Sequence, residues 1–418
     1  MNKKLLLVFT GVLLILSTCL YVFMSNEEEI VIASGKSDKS VISTNALTMM
    51  YETDAGSGEY VVTSESVWPQ EGYVFNENLS SCENCGTLSW NNETKRVVLT
   101  TSTSDKCYVY FDVYVPPTLA DVCSTGGNLA SCIQIYYATN GEGYDGLYYH
   151  DGVGTYTNAD QEAEDNSYRY AGANPNNYVC FGSTASPCPT DNLYRIIGVF
   201  GDQVKLIKHD YATSALMGTN GDYDGQYTDD DSYYNGSNYS NIASYVWNVN
   251  RVNTWSTSQL NTVNLNTNYL NNIGRTWSSK IANHTWQVGG VSYGNAMNSS
   301  VKTAYTYEVG ANTTYSAKIG LMYVSDYGYA ASPANWSTNI GNLNNDTNRN
   351  NNWMFMGLDD WTISRTSDTS DGSWFVDASG GVYIGVGQDH AVRPTFYLNS
   401  NVTYVSGFGT SSDPIRIN

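Results

Sequence analysis

The chain is short of charge, and of basic residues above all. Only 14% of its 418 residues are charged, and 20 Lys and Arg stand against 40 Asp and Glu, a formal net charge of −20. Phosphate backbones and anionic headgroups are held by clustered cations, so nucleic-acid partners and electrostatic docking on anionic lipid are excluded. Histidine is scarcer still: His150, His209, His284 and His390 are widely spread, which leaves no histidine-rich metal site to build. No HExxH pair or glycine phosphate loop occurs, and no nucleophile elbow sits in the right context. An enzyme is therefore not expected. The acidic pair Asp359-Asp360 is of the kind that serves glycoside hydrolysis, but Asp and Glu are abundant throughout, so a hydrolase ranks last among the readings.

Long hydrophobic runs are absent as well, with one exception. Lys3 and Lys4 precede an uncharged run from Leu5 to Met24, and Glu27, Glu28 and Glu29 follow it. About 20 apolar residues span a hydrocarbon core as a helix, and positive charge before the run keeps the N-terminus inside. The expectation is an uncleaved signal anchor over residues 1–29, a single-pass cell-membrane location and an extracellular remainder. Export favours disulfides over thiols. Cys123 with Cys132, and Cys180 with Cys188, would each close a short loop; Cys107 pairs with Cys82 or with Cys85, leaving one thiol over.

What is plentiful is Tyr, 35 in all, together with Asn, Ser and Thr. These residues suit turns and β surfaces. Residues 30–45 read as a linker. In residues 46–116, Cys107 to Val115 alternates: Cys107, Val109, Phe111, Val113 and Val115 share one face, and Tyr108, Tyr110, Asp112 and Tyr114 the other. Period two over this length is a half-buried strand. With Arg96–Thr100 and Tyr73–Asn76 it predicts a small antiparallel β-sandwich, ended by Pro116-Pro117. Residues 117–176 read as a linker and lead-in segment. In residues 177–418, Leu193–Phe200 and Gln203–Lys208 flank Gly201-Asp202 and predict a hairpin. Ser256 caps a short helix reaching Leu260 and Val263. Tyr269, Leu270, Ile273, Trp277 and Ile281 then fall at helical spacing. Lys318–Val324 reads as a short buried strand, and several more lie between Trp361 and Leu398. The order predicts an α+β domain, one sheet covered by helices on one face.

Particular residues also carry a resemblance: Arg195–Phe200 and Val204–Lys208; then Trp255, Ser258, Leu260, Leu265, Asn266 and Tyr269 in a W-x-x-S-x-L…LN pattern; then Ile319–Tyr329; then Trp361, Ser364 and Arg365; and last Val392, Arg393, Pro394 and Leu398. Over Tyr178 to Asn418 this order resembles the C-type-lectin-like fold in its bacterial form, which is related in shape to the formylglycine-generating enzymes. It is similar to a family of exported domains from low-GC Gram-positive and mollicute bacteria. The resemblance implies ligand binding rather than catalysis, because the chain has no cysteine after Cys188 to form the reactive pair of those enzymes. In such folds the ligand surface is built late in the chain, and the matching positions are Trp361, Arg365, Trp374, Tyr383, Asp389 and His390. Trp and Tyr bring rigid contact area at low entropy cost, and Arg and Asp bring directional polar contacts. Trp361–Arg365 and Val392–Leu398 read as a frame, and Thr366–His390 as the recognition segment. The implied partner is a protein or a carbohydrate, and no cofactor is required. Asp222, Asp224, Asp229, Asp230 and Asp231 make an oxygen-rich loop, but the spacing departs from an EF-hand, so a solvated acidic loop is preferred over a Ca2+ site. The competing class is a structural envelope protein with no specific ligand.

Overall fold

A computed structural model describes residues 28–32, 46–65, 67–84, 86–91, 93–94, 96–101, 105–123, 127–151, 162–227, 242–310 and 312–418. The chain divides into two units, residues 1–116 and 117–418.

The first unit packs around Trp68, Val97, Val109 and Phe111. Val109 and Phe111 are inward positions of the alternating run, and the Trp68 ring stacks on Tyr51 and Phe111 at 5.1 and 5.2 Å. Strands Tyr60–Val62, Ala46–Glu52, Lys106–Val113 and Tyr73–Cys82 form one sheet in that order; Glu28–Ile32, Arg96–Thr101 and Thr87–Asn91 form another. The expected antiparallel sandwich is corrected in one respect. Ala46–Glu52 runs parallel to Lys106–Val113, from Ala46 opposite Lys106 to Tyr51 opposite Phe111. The chain between them passes through other strands before it returns, which is what a parallel pair requires. The strand Glu28–Ile32 also lies within residues expected to be anchor and linker. Cys82 and Cys107 sit opposite each other in register and are disulfide-bonded.

In the second unit the hairpin forms as expected and becomes the centre of a seven-stranded sheet. Its order is Ile319–Gly320, Thr395–Tyr397, Gln203–Lys208, Leu193–Phe200, Ser167–Tyr170 and Leu147–His150, with Tyr178–Cys180 also paired to Leu193–Phe200. Nearly every residue of the two central strands is buried, so this sheet is covered on both faces. The register slips between Ile196 and Gly198. A Cβ on Gly198 would stand 2.3 Å from the Tyr168 carbonyl oxygen, so only glycine fits between the neighbouring strands.

The fold class expected from the sequence is overturned on three points. The second unit is not one sheet with helices on a single face: it is a mixed α/β fold, predominantly strand, with further sheets of Asp360–Thr366, Ser373–Val376 and Val382–Gly385, and of Tyr223–Gln226, Ala243–Val246 and Asp389–His390. Its helices are short. Gly274 at φ +79° separates Leu270–Asn272 from Arg275–Ser278, and Leu260–Tyr269 is wound as a π-helix rather than an α-helix. Of the strand expected at Lys318–Val324 only Ile319–Gly320 forms, and Val324 opens the helix Val324–Ala330. Finally, Leu5–Met24 lies outside the described residues, and among the described residues no helix is long and apolar enough to cross a membrane. No described helix carries the expected single-pass anchor or the membrane location built on it.

Disulfides close where sequence spacing placed one of the two short loops. Cys180 and Cys188 are bonded, whereas Cys123 and Cys132 are free, buried thiols. The expected Cys123–Cys132 bond is therefore corrected; both thiols pack in the apolar core with Leu119, Leu129 and Ile133.

Candidate functional site

The late segment is largely buried. Trp361 is 1% exposed and Trp374 is fully buried. Their indole N–H groups donate to main-chain oxygens, Trp361 to Tyr245 at 2.7 Å and Trp374 to Arg365 at 3.2 Å. Arg365 donates to the carbonyls of Val288 and Thr366 and to the Asn253 side chain. His390 is buried between the rings of Trp361 and Phe375, at 4.3 and 4.2 Å, and burial lowers its pKa to about 4. Asp389 is half-buried in a short strand pair with Val246. Of the six, Tyr383 lines a depression of about 560 Å³ shared with Arg349, Asp359, Phe375 and Asp377. Trp361, Phe375 and Tyr383 lie in one cross-strand row, which explains how these positions come together yet present mostly frame. Of the acidic loop, Asp229, Asp230 and Asp231 lie outside the described residues. Asp222 is buried and accepts from the main-chain N–H groups of Val249 and Leu260, at 3.0 and 2.7 Å, so its carboxylate has a structural task. The Gly290-Val-Ser-Tyr-Gly294 pentapeptide has nucleophile-elbow spacing, but the Ser292 hydroxyl accepts from the Asn295 N–H at 3.3 Å, within the short helix that follows.

A different site stands on the central sheet. Arg169, Gly198, Lys205 and Tyr397 are register partners across four adjacent strands and so share one face. Gly198 contributes no side chain, which leaves space between the two cations. Helix Val301–Gly310 lies opposite and supplies Tyr305 and Glu308, one helical turn apart. The turn into helix Val324–Ala330 supplies Tyr323, Ser325 and Asp326, and strand His284–Gln287 supplies His284, Thr285 and Gln287. Together they enclose a cavity of about 300 Å³. Its floor is buried Lys205, Asp326 and Glu308; its mouth lies at Thr285 and Val309, both exposed.

The floor is dense in charge. Lys205 Nζ is 2.6 Å from Asp326 Oδ2 and is ringed by Tyr323, Tyr397, Trp286 and Phe200, with centroids at 4.4 to 5.6 Å. Arg169 reaches Asp165 Oδ2 at 2.6 Å and Asp326 Oδ1 at 3.5 Å, and lies over Phe200 at 4.6 Å. Buried cations persist only when paired and hydrogen-bonded, and the cation–π contacts add to that. Burial lowers the Lys205 pKa against the pull of Asp326. Burial works to raise Asp165, but the Arg169 guanidinium and the Ser167 hydroxyl outweigh it and hold this carboxyl down to about 2. Glu308 behaves in the opposite way: burial pushes it up to about 7 against the hydrogen bonds from Ser325 and Ser364. His284 stacks on Tyr397 at 3.7 Å, and burial together with Lys205 lowers it to about 4, so it stays neutral.

Three atoms of this lining have no hydrogen-bond partner among the described residues: Arg169 Nη1, Glu308 Oε2 and Gln287 Oε1. Buried polar atoms are nearly always bonded, and an orphan costs roughly 1–3 kcal/mol. A ligand carrying an acceptor for the first and a hydroxyl for the second would remove that cost.

None of these residues was singled out by sequence reasoning. The signal was present: Arg169 in Ser-Tyr-Arg-Tyr, Arg195 in Leu-Tyr-Arg-Ile-Ile and Lys205 in Val-Lys-Leu-Ile are cations inside apolar β runs. A buried strand cannot carry such residues without partners from elsewhere. Comparison with protein-family models, with curated proteins and with solved structures gives no match to this chain.

Proposed function

We propose that residues 117–418 form a binding unit that acts without chemistry, taking one polar group of a protein or glycan ligand into the cavity between Lys205, Arg169, Glu308 and Tyr323. The resemblance of the Trp255–Tyr269 and Trp361–Leu398 motifs to exported bacterial domains belongs to the same proposal. One observation carries it: Arg169 Nη1, Gln287 Oε1 and Glu308 Oε2 make no hydrogen bond among the described residues and line a walled space with an exposed mouth. Concave, mostly apolar walls with a few convergent polar atoms are the usual form of a ligand site, and about 300 Å³ is the lower end of the usual size. The carboxylates Asp165 and Asp326 are committed to ion pairs, so neither stands free in this cavity for hydrolysis.

The test is retention of the full chain on glycan and peptide arrays, repeated with Thr285→Trp, which fills the mouth without touching the floor. Ligands retained by the parent and lost by the variant support the reading. A structural protein with no specific ligand would retain none, and retention that ignores the variant would move the site elsewhere.

A further inference from the structure

We infer that the group entering this cavity is an uncharged hydroxylated ring, the terminal residue of a neutral sugar; the inference rests on the binding reading above. Charge balance is the first reason. Arg169 and Lys205 are matched by Asp165 and Asp326 in contacts of 2.6, 2.6 and 3.5 Å. An anionic group would have to displace one of these carboxylates, and a cationic group would meet two buried cations. Either exchange strips a buried charge of its partner, which is strongly unfavourable.

Hydrogen bonding is the second reason. Glu308 Oε1 accepts the Ser364 hydroxyl at 2.6 Å and the Ser325 N–H at 3.4 Å, and Oε2 is left over. The titratable and charged groups facing it are Asp326, Lys205, Tyr305 and Tyr323. Burial and Asp326 favour the protonated acid, pushing it up to about 7. In that form Oε2 carries a donor hydrogen, as Arg169 Nη1 does. Two donors beside the unsatisfied acceptor Gln287 Oε1 suit sugar hydroxyls, which accept one hydrogen bond and donate another.

The walls are the third reason. The stacked pair of His284 and Tyr397, with Phe200, Tyr305 and Tyr323, offers flat apolar area around a polar floor. A pyranose has the matching form, a C–H face and a rim of hydroxyls, and aromatic rings give rigid contact to such faces. The cavity volume of about 300 Å³ admits one ring, and the exposed mouth at Thr285 and Val309 lets the rest of a chain leave.

The experiment is titration calorimetry of the full chain with glucose, galactose, mannose and N-acetylglucosamine, against glucuronate, glucosamine and a set of short peptides. At least one neutral sugar is expected to bind saturably, with its charged counterpart about tenfold weaker or more. Glu308→Leu should weaken that sugar by about tenfold, and Glu308→Gln, which keeps a donor, by less. Thr285→Trp, remote from the floor, keeps the test open if a Glu308 variant fails to fold. Equal or tighter binding of glucuronate or glucosamine overturns the inference. Peptide binding without any sugar binding overturns it too but leaves the binding reading standing. No binding of any probe removes both.

Discussion

Lys205 Nζ lies 2.6 Å from Asp326 Oδ2, with the two side chains 1% and 2% exposed. One residue comes from a central strand and the other from the first turn of a helix 121 positions further on. Asp326 Oδ2 also accepts the Tyr323 N–H at 2.8 Å, so one carboxylate holds the helix start and neutralises the strand. Removing a single partner of such a pair leaves a buried charge alone. Lys205→Met is expected to cost about 3–5 kcal/mol in chemical denaturation, and Lys205→Met with Asp326→Asn to recover part of the loss. A loss under about 1 kcal/mol for Lys205→Met would show that Asp326 finds water instead.

Glu308 makes the protein less stable as pH rises. In the folded chain it keeps its proton up to about 7, whereas the unfolded group releases it near the ordinary value of 4.5. Unfolding therefore releases a proton between these values, and stability falls as pH rises through that window. Thermal melts from pH 4.5 to 7.5 should show a decline that Glu308→Gln flattens.

Asp165 acts with the opposite sign at lower pH. Held down to about 2 against an ordinary value of 3.8, it contributes stability that is complete above 3.8 and lost as pH falls toward 2. Asp165→Asn should destabilise at pH 6 and lose its effect near pH 2, read by the same melts.

The late aromatics divide into frame and rim. Trp361→Ala empties a fully packed site and orphans the Tyr245 carbonyl, an expected loss of about 3–5 kcal/mol. Tyr383→Ala, at the edge of the open depression, should change stability by under about 1 kcal/mol. A Cβ at Gly385 would stand 2.6 Å from the Trp361 ring, so Gly385→Ala should resemble the Trp361 variant in denaturant midpoint.

Thiol chemistry separates the cysteines. Cys180–Cys188 and Cys82–Cys107 close segments with sequence separations of 8 and 25, and reduction should cost about 2–3 kcal/mol for each. Cys123 and Cys132 are buried, with burial raising both pKa values, so they should label with iodoacetamide only on unfolding. Mass spectrometry of the unreduced protein checks the assignment; a Cys123–Cys132 bond would contradict it.

Local features were legible because local chemistry decides them. The hairpin at Gly201-Asp202 follows from two β runs and a turn, and the alternation of Cys107 to Val113 already named Val109 and Phe111 as core. The parallel pairing of Ala46–Glu52 was not legible, because alternation gives a strand its faces and not its neighbour. The burial of the late tryptophans was not legible for a related reason. A Trp followed by small polar residues has the composition of a binding loop and of a buried strand flanked by turns. Only the sheet around Trp361 and Trp374 separates the two.

By itself the sequence determined the hairpin and the presence of Arg195 and Lys205 inside its apolar strands. Only the tertiary structure decided what those cations meet. Register set Arg169, Gly198 and Lys205 in one row, and distant helices laid Asp326 and Glu308 over it. The physical reason is that burying a charge creates a demand for a partner without naming one. Long-range packing met that demand at Lys205, and left Arg169 Nη1 and Glu308 Oε2 facing a cavity.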